Sequence, residues 1–307
     1  MLECKMPAIV SLGVLNVDFV MEVGKDLIGK KRLGKRISIS AGGYGGCQAV
    51  AAVRCGVPTA AVGRVGTDIF SYQIEKTLRE EQVDCQFLQE TEGDNTGLSA
   101  IIAEEGKESV SIDFLGTNFQ ITKQDIDQCR EAIQQAKLVM IYMGPAMMEA
   151  SAHMVEVANQ SRTPVLLTPT LFTGIQTGLW QKVDYLVMNL TQAADLCGLT
   201  EESVRTARIA AGMLSGQVRK AIVIHMDKGG VLVAENGILT TLDVMPESKV
   251  VDYSGATAFF TGVFGAELVK GNTIQKAAIK AHRAAMLCME KVGTYASFPT
   301  AEQLKRL

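Results

Sequence analysis

The sequence predicts an α/β fold: a doubly wound, mostly parallel sheet flanked by helices, with a small β lid. Three observations carry that expectation. Short β-branched runs alternate with longer segments of helical period along most of the 307 residues, the pattern of parallel strands joined by crossover helices. Two stretches, residues 17–41 and 96–114, break the rhythm by alternating apolar and polar residues, as half-buried strands do. From Ala256 to about Val292 the pattern is helical alone. The expected division is an α/β core domain of residues 1–16, 42–95 and 115–307, and a lid of residues 17–41 and 96–114 that stands off the core as a cover or a dimer contact.

In chain order, AIVSLGVL (8–15) is the first strand, and VDFVMEVGKDLIGKKRLGKRISISA (17–41) supplies one pair of lid strands. GCQAVAAVRCG (46–56) is an Ala-rich helix, TAAVGRVG (59–66) a strand and DIFSYQIEKTLREEQ (68–82) a helix. TGLSAIIAEEGKESVSIDF (96–114) is the second lid pair, with EEGKE as its turn. KQDIDQCREAIQQA (123–136) and MMEASAHMVEVANQS (147–161) are helices on either side of the strand KLVMIYMG (137–144). TPVLLTP (163–169), DYLVMN (184–189) and KAIVIHM (220–226) complete the strands, and like the others they read as apolar runs covered on both faces.

Composition narrows the function. Hydrophobic residues at 47% and charged residues at 21% are ordinary for a globular protein. A formal charge of −3 gives no general attraction to nucleic acid or to an anionic membrane, and 6% aromatics are too few for a base-stacking platform. No apolar run has the length of a membrane span, and the N-terminus MLECKMPAIVSLG is not a signal peptide. Seven cysteines (4, 47, 55, 85, 129, 197 and 288) form no CxxC pair and read as reduced thiols of a cytoplasmic protein. Three scattered histidines, His153, His225 and His282, with no HxxxH pair, exclude a histidine-rich metal site, and no metal ligand is assigned. The basic run GKKRLGKR (29–36), from Lys30 to Arg36 at its core, reads as a solvated loop tip.

Glycine turns carry the chemistry. No GxxxxGK[ST] is present, and after the first strand only Gly13 stands where a dinucleotide fold would place GxGxxG. AGGYGGCQAVAAVRCG (41–56) has four glycines ahead of a helix, so its backbone can approach a ligand or another element closely. VVDYSGATAFFTG (250–262) reads as a strand end, a tight turn and a helix start, and helix N-termini attract anions. Taken together, these motifs resemble the ribokinase-like, PfkB-type family of sugar and nucleoside kinases over nearly the whole chain. Gly13, Asn16 and Asp18 match its N-terminal pattern; Gly42, Gly43 and Cys47, followed by Gln48 and Ala49, fall on GGxxxNxA. VGRVGTDIFS (62–71), Thr96 with Gly97, NLTQ (189–192) and DYSGATA (252–258) fall on its later motifs.

The resemblance implies a sugar-like or nucleoside-like alcohol beneath the lid, held by Asn16, Asp18, the Gly42–Gly43 backbone and the Cys47 position. It implies ATP along the C-terminal edge of the sheet, near Asn189, Gln192, His225, Lys228 and Gly230, with Mg2+ organised through water and a monovalent cation near Asp252. Gly255, Ala256, Thr257 and Ala258 would form the anion hole, the last position being that of the general base. The chain departs from the family at these points. Ala258 cannot accept a proton, and the Thr257 Cβ crowds a turn normally built on Gly. Gln192 replaces a carboxylate suited to hydrated magnesium, Cys47 replaces Asn, and Thr168 stands where an Asp often follows the middle strand. Asp252 on the strand side of the turn, a structural His225 and Asp227 as a solvated turn residue offer no replacement base. A positioned base contributes roughly 10²–10⁴-fold, so losing it together with the magnesium acid and an open turn predicts a weak or inactive (pseudo)kinase that retains a ligand site. An active ATP-dependent sugar or nucleoside kinase is the alternative expectation, and a purely structural homodimer joined through the lid is the third.

Overall fold

Strand β1 (Ile9–Leu12) is buried throughout, and its side chains divide between two layers: Ile9 joins one apolar cluster, Val10 and Leu12 the other. The structure, a computed structural model, describes residues 6–25, 33–104, 110–170, 177–245 and 249–307. After β1 come β2 (Asn16–Val23), β3 (Arg36–Gly42), α1 (Tyr44–Arg54), β4 (Thr59–Gly66), α2 (Ile69–Glu80), β5 (Asp84–Thr91), β6 (Gly97–Glu104) and β7 (Val110–Phe114). Then follow α3 (Lys123–Gln128), α4 (Arg130–Gln135), β8 (Leu138–Met143), α5 (Met148–Ser161), β9 (Val165–Pro169), α6 (Thr177–Trp180), β10 (Tyr185–Asn189), α7 (Leu190–Cys197) and α8 (Val204–Met213). The chain ends with β11 (Ala221–His225), β12 (Val231–Glu235), β13 (Ile238–Leu242), α9 (Ala256–Val269), α10 (Ile274–Met289) and α11 (Ala301–Lys305).

Among the described residues the main sheet runs β13-β12-β11-β10-β9-β8-β1-β4-β5, parallel from β11 to β5, with β12 and β13 antiparallel at one edge. One face is covered by α1, α2, α9 and α10, the other by α3, α4, α5, α7 and α8. Helix α9 is buried on every side from Ala258 to Glu267, which is why ATAFFTGVFGAELV has apolar residues all round instead of a stripe. The second sheet runs β3-β2-β6-β7: two antiparallel pairs joined by a parallel contact between β2 and β6.

Several elements differ from expectation. Residues 123–136 form two short helices, because Cys129 closes α3 and opens α4 and its thiol donates back to the Ile126 carbonyl. The first of them is fixed by a capping box between Thr122 and Asp125, whose carboxylate also pairs with Arg64. Strands β5 and β13 lie at the sheet edges and carry half-exposed polar residues, so they lack the apolar run that marks the inner strands. Cys4, residues 29–32 of the basic run and residues 105–108 of the EEGKE turn lie outside the described residues.

Candidate ligand cavity

A cavity of about 970 Å³ opens between the lid and the C-terminal ends of the parallel strands. From the lid it takes one strand face. The register sets Asp18 opposite Ser99, and Ser99 opposite Asp113, so a row of polar groups points inward across β2, β6 and β7. From the core it takes Tyr44 and Tyr142, which stack with centroids 4.6 Å apart, together with Asn189, Asp227 and the turn before α9.

Asp18 is 4% exposed. Burial pushes its carboxyl up to about 7; hydrogen bonds from Thr294 and Ser99 pull the other way, while the carboxylates of Asp113 and Asp252 add to the rise. Gly42 makes room for it: a Cβ at that position would overlap the carboxylate. Asn16 is bound up with its neighbours, its Nδ2 donating to Ser99 Oγ at 3.2 Å and its Oδ1 accepting from Asn118 Nδ2 at 2.9 Å, so it fixes the strand that presents Asp18. Cys47 reaches the lining from α1, where burial holds its thiol well above the ordinary range.

The turn before α9 is tied down by Asp252. Its Oδ1 accepts from Ser254 N at 2.9 Å and Ser254 Oγ at 2.7 Å, and its Oδ2 accepts from Gly293 N at 2.7 Å. Gly255 then adopts φ 73, the left-handed region that glycine enters without strain, and α9 begins. Ala256 N donates to Tyr253 O, whereas Thr257 and Ala258 present first-turn N–H groups that have no partner within the helix. Ala258 lines the cavity with a methyl group. Thr257 Oγ1 accepts from Asn189 Nδ2 at 3.2 Å, which fastens the turn to the end of β10.

The residues expected to hold a nucleotide are only partly brought together. Asn189 lines the cavity. Gln192 does not: its Oε1 accepts from Asn189 N at 2.9 Å and its own N–H donates to Asn189 Oδ1 at 2.8 Å, a capping box for α7. His225 is enclosed, with Nε2 3.1 Å from His282 Nδ1 and its ring stacked on Phe260, and burial and His282 lower it to about 3. Lys228 is exposed beyond the lining, and Gly230 is packed beneath the Leu242 carbonyl. Asp227, expected to be a solvated turn residue, is a turn residue with its side chain 32% exposed, and it also lines the cavity from a left-handed backbone at φ 48; burial and the Glu202 carboxylate push it up to about 6.

Sequence reasoning also missed Tyr44, Tyr142, Ser99, Asp113, Glu202 and Thr294. Of these, Ser99 and Asp113 were detectable as inward positions of an alternating strand, while Thr294 comes from a loop without any pattern. The polyphosphate of the ATP implied by the resemblance fits this lining poorly, whereas Mg2+ takes oxygen ligands of the kind the lining offers. Five carboxyl residues line it (Asp18, Asp113, Glu202, Asp227 and Asp252), and no Lys, Arg or His does so among the described residues. No three His, Cys, Asp or Glu residues converge among the described residues, so a magnesium ion here would complete its shell with water and phosphate oxygens.

Comparison with known proteins gives one consistent answer. The family model described as pfkB family carbohydrate kinase matches residues 6–301. A deoxyribokinase of Salmonella typhi is 25% identical over 269 residues, 86% of each chain, and a ribokinase of Haemophilus influenzae is 24% identical over 95% of each. Among solved structures, Arabidopsis thaliana ribokinase complexed with ribose and ATP superimposes with a TM-score of 0.83 at 21% identity, covering 98% of both chains. A Burkholderia thailandensis nucleoside kinase in complex with inosine superimposes with a TM-score of 0.79 at 17% identity, covering 97% of this chain and 96% of that one.

Proposed function

This chain belongs to the pfkB family of carbohydrate kinases, and we propose that it is a member which holds a hydroxylated small molecule beneath its lid while transferring phosphoryl groups weakly or not at all. The observation that carries the reading is the methyl group of Ala258, in the first turn of α9 and on the cavity wall. The resemblance places the proton acceptor at that position. The capping-box role of Gln192 supports the same reading, since the residue at the magnesium-acid position is tied up in its own helix start. Asp18 and Ser99 would bind ligand hydroxyls, with the stacked Tyr44 and Tyr142 beside them. The lid of residues 17–41 and 96–114 would cover the ligand and pair two chains as a homodimer through its outer face. Six cysteines among the described residues are unpaired, which fits a cytoplasmic protein.

A second reading is favoured by one observation. Asp18, with its carboxyl raised to about 7, stands in the cavity as a group able to exchange a proton near neutrality, so an active enzyme would use it as base. A single set of measurements separates the two. Thermal shifts with ribose, deoxyribose, adenosine and ATP identify what binds, because a ligand of the native state raises its stability. ADP release is then measured for the parent and for the Thr257→Gly, Ala258→Asp, Gln192→Glu variant. The expected outcome is a stabilising sugar or nucleoside, a parent at least about 10²-fold below the 1–100 s⁻¹ usual for kinases, and a faster restored variant. A parent working within that range, and losing it in Asp18→Asn, would establish the second reading instead.

A further inference from the structure

The resemblance accounts for Asp18 and Asp252 on the cavity wall but not for Asp113, Glu202 and Asp227. The lining combines these five carboxyl residues with no described Lys, Arg or His. Two of them, Asp227 and Glu202, line the same cavity as Ser254, Gly255 and Thr257 of the turn before α9. Asn189 at the end of β10 is the register partner of His225 on β11, and Asn189 Nδ2 reaches Thr257 in that turn. Asp227, two residues beyond His225, faces the same cavity as Thr257 and Ala258, whose N–H groups are where an anion would rest.

Among the described residues that line the cavity, no cation offsets the charge of Asp227. The φ of 48 holds its backbone in one conformation. Nδ1 of the fully buried His225 has no hydrogen-bond partner and lies 3.6 Å from Asp227 Oδ1, but the imidazole, lowered to about 3, is neutral and brings only a dipole. The start of α9 supplies roughly half a positive charge. A triphosphate laid across this region would bring several negative charges toward Asp227, Glu202 and Asp252, and like charges set against one another in a binding site are strongly unfavourable.

We infer that Asp227 and Glu202 set the nucleotide half of the cavity against polyphosphate, so that the cavity takes a phosphate-free, hydroxylated ligand of nucleoside size in preference to a nucleoside triphosphate. This rests on the reading that the cavity is a ligand site at all. A volume of about 970 Å³ lies within the range of small-molecule pockets and accepts a nucleoside without its phosphates.

The test is calorimetric titration of the full chain with adenosine, ATP and ATP with Mg2+, each at low and high salt. The parent binds adenosine at least about tenfold more tightly than ATP, and high salt narrows the gap because it screens the repulsion. In Asp227→Asn with Glu202→Gln, ATP tightens about tenfold while adenosine is unchanged, and the salt effect on their ratio shrinks. Asn tolerates the left-handed backbone at 227, and Glu202→Gln alone changes an exposed residue, giving a smaller shift of the same sign without endangering the fold. ATP tighter than adenosine in the parent, with or without Mg2+, overturns the inference and leaves the cavity a ligand site. A ratio unmoved by either variant also overturns it. Failure of every probe to bind parent and variants overturns both the inference and the reading beneath it.

Discussion

Asp18 and His225 show that the site and the core ask opposite things of pH. A carboxyl raised to about 7 in the folded chain keeps a proton that the unfolded chain releases near 3.8, so its stabilising contribution is complete below 3.8 and is lost as pH rises through 7. The upper bound on that loss is about 4 kcal/mol. His225 works the other way: lowered to about 3, it stays neutral while the unfolded imidazole takes up a proton below 6.5, so stability is lost as pH falls from 6.5 toward 3. Single substitutions separate the two. The melting temperature of Asp18→Asn minus that of the parent should increase from pH 4 to pH 8, with ligand stabilisation abolished. The corresponding difference for His225→Leu should increase toward acid. Flat difference curves for both variants would mean that neither group titrates as its surroundings require.

The turn before α9 works as an element because the segment after α10 holds it. Gly293 N donates to Asp252, Phe298 packs against Gly255, and Thr294 bonds Asp18 while its hydroxyl lies 3.3 Å from Ser40 Oγ and the Ala41 carbonyl. Asp252→Ala removes the acceptor of three hydrogen bonds and should cost about 1–3 kcal/mol. Amide exchange at 290–299 should accelerate in step with that loss, whereas exchange in β8 and β9 should follow only global unfolding. Unchanged protection at Gly293 would show that the segment holds itself. This element also marks the limit of sequence reading. The turn was visible because glycine and a following apolar helix have local signatures, and the inner strands because burial on both faces leaves an apolar run. The restraining segment was not visible, since its bonds join residues as far apart as Thr294 and Ala41. The place of Asp227 on the cavity wall was hidden for the same reason: it is decided by what folds over the turn.

At the scale of the whole molecule, the lid is a sheet with two unlike faces. The β2, β3, β6 and β7 register puts Asp18, Ser99, Ser111 and Asp113 on the cavity face, and Met21, Ile37, Ile39, Val110, Ile112 and Phe114 on the other. Helix α2 covers part of that outer face, where Phe70 meets Phe19 edge to face. Five of the outer residues, Ile37, Ile39, Val110, Ile112 and Phe114, remain between 51% and 64% exposed. Exposed apolar residues on a sheet whose other face carries polar groups suit a contact with another surface, and the homodimer proposed above would set the same face of a second chain against them under two-fold symmetry. Because side chains alternate with period two, neighbouring residues of β7 test the two faces separately. Ile112→Lys with Phe114→Lys should convert a dimer to a monomer in sedimentation equilibrium and leave ligand affinity in the isolated chain within a few fold. Ser111→Lys, one residue away on the cavity face, should leave the dimer intact and weaken ligand binding. A parent that sediments as a monomer across micromolar concentrations would remove the lid-to-lid contact. A dimer that survives both outer lysines would place the contact elsewhere on the molecule.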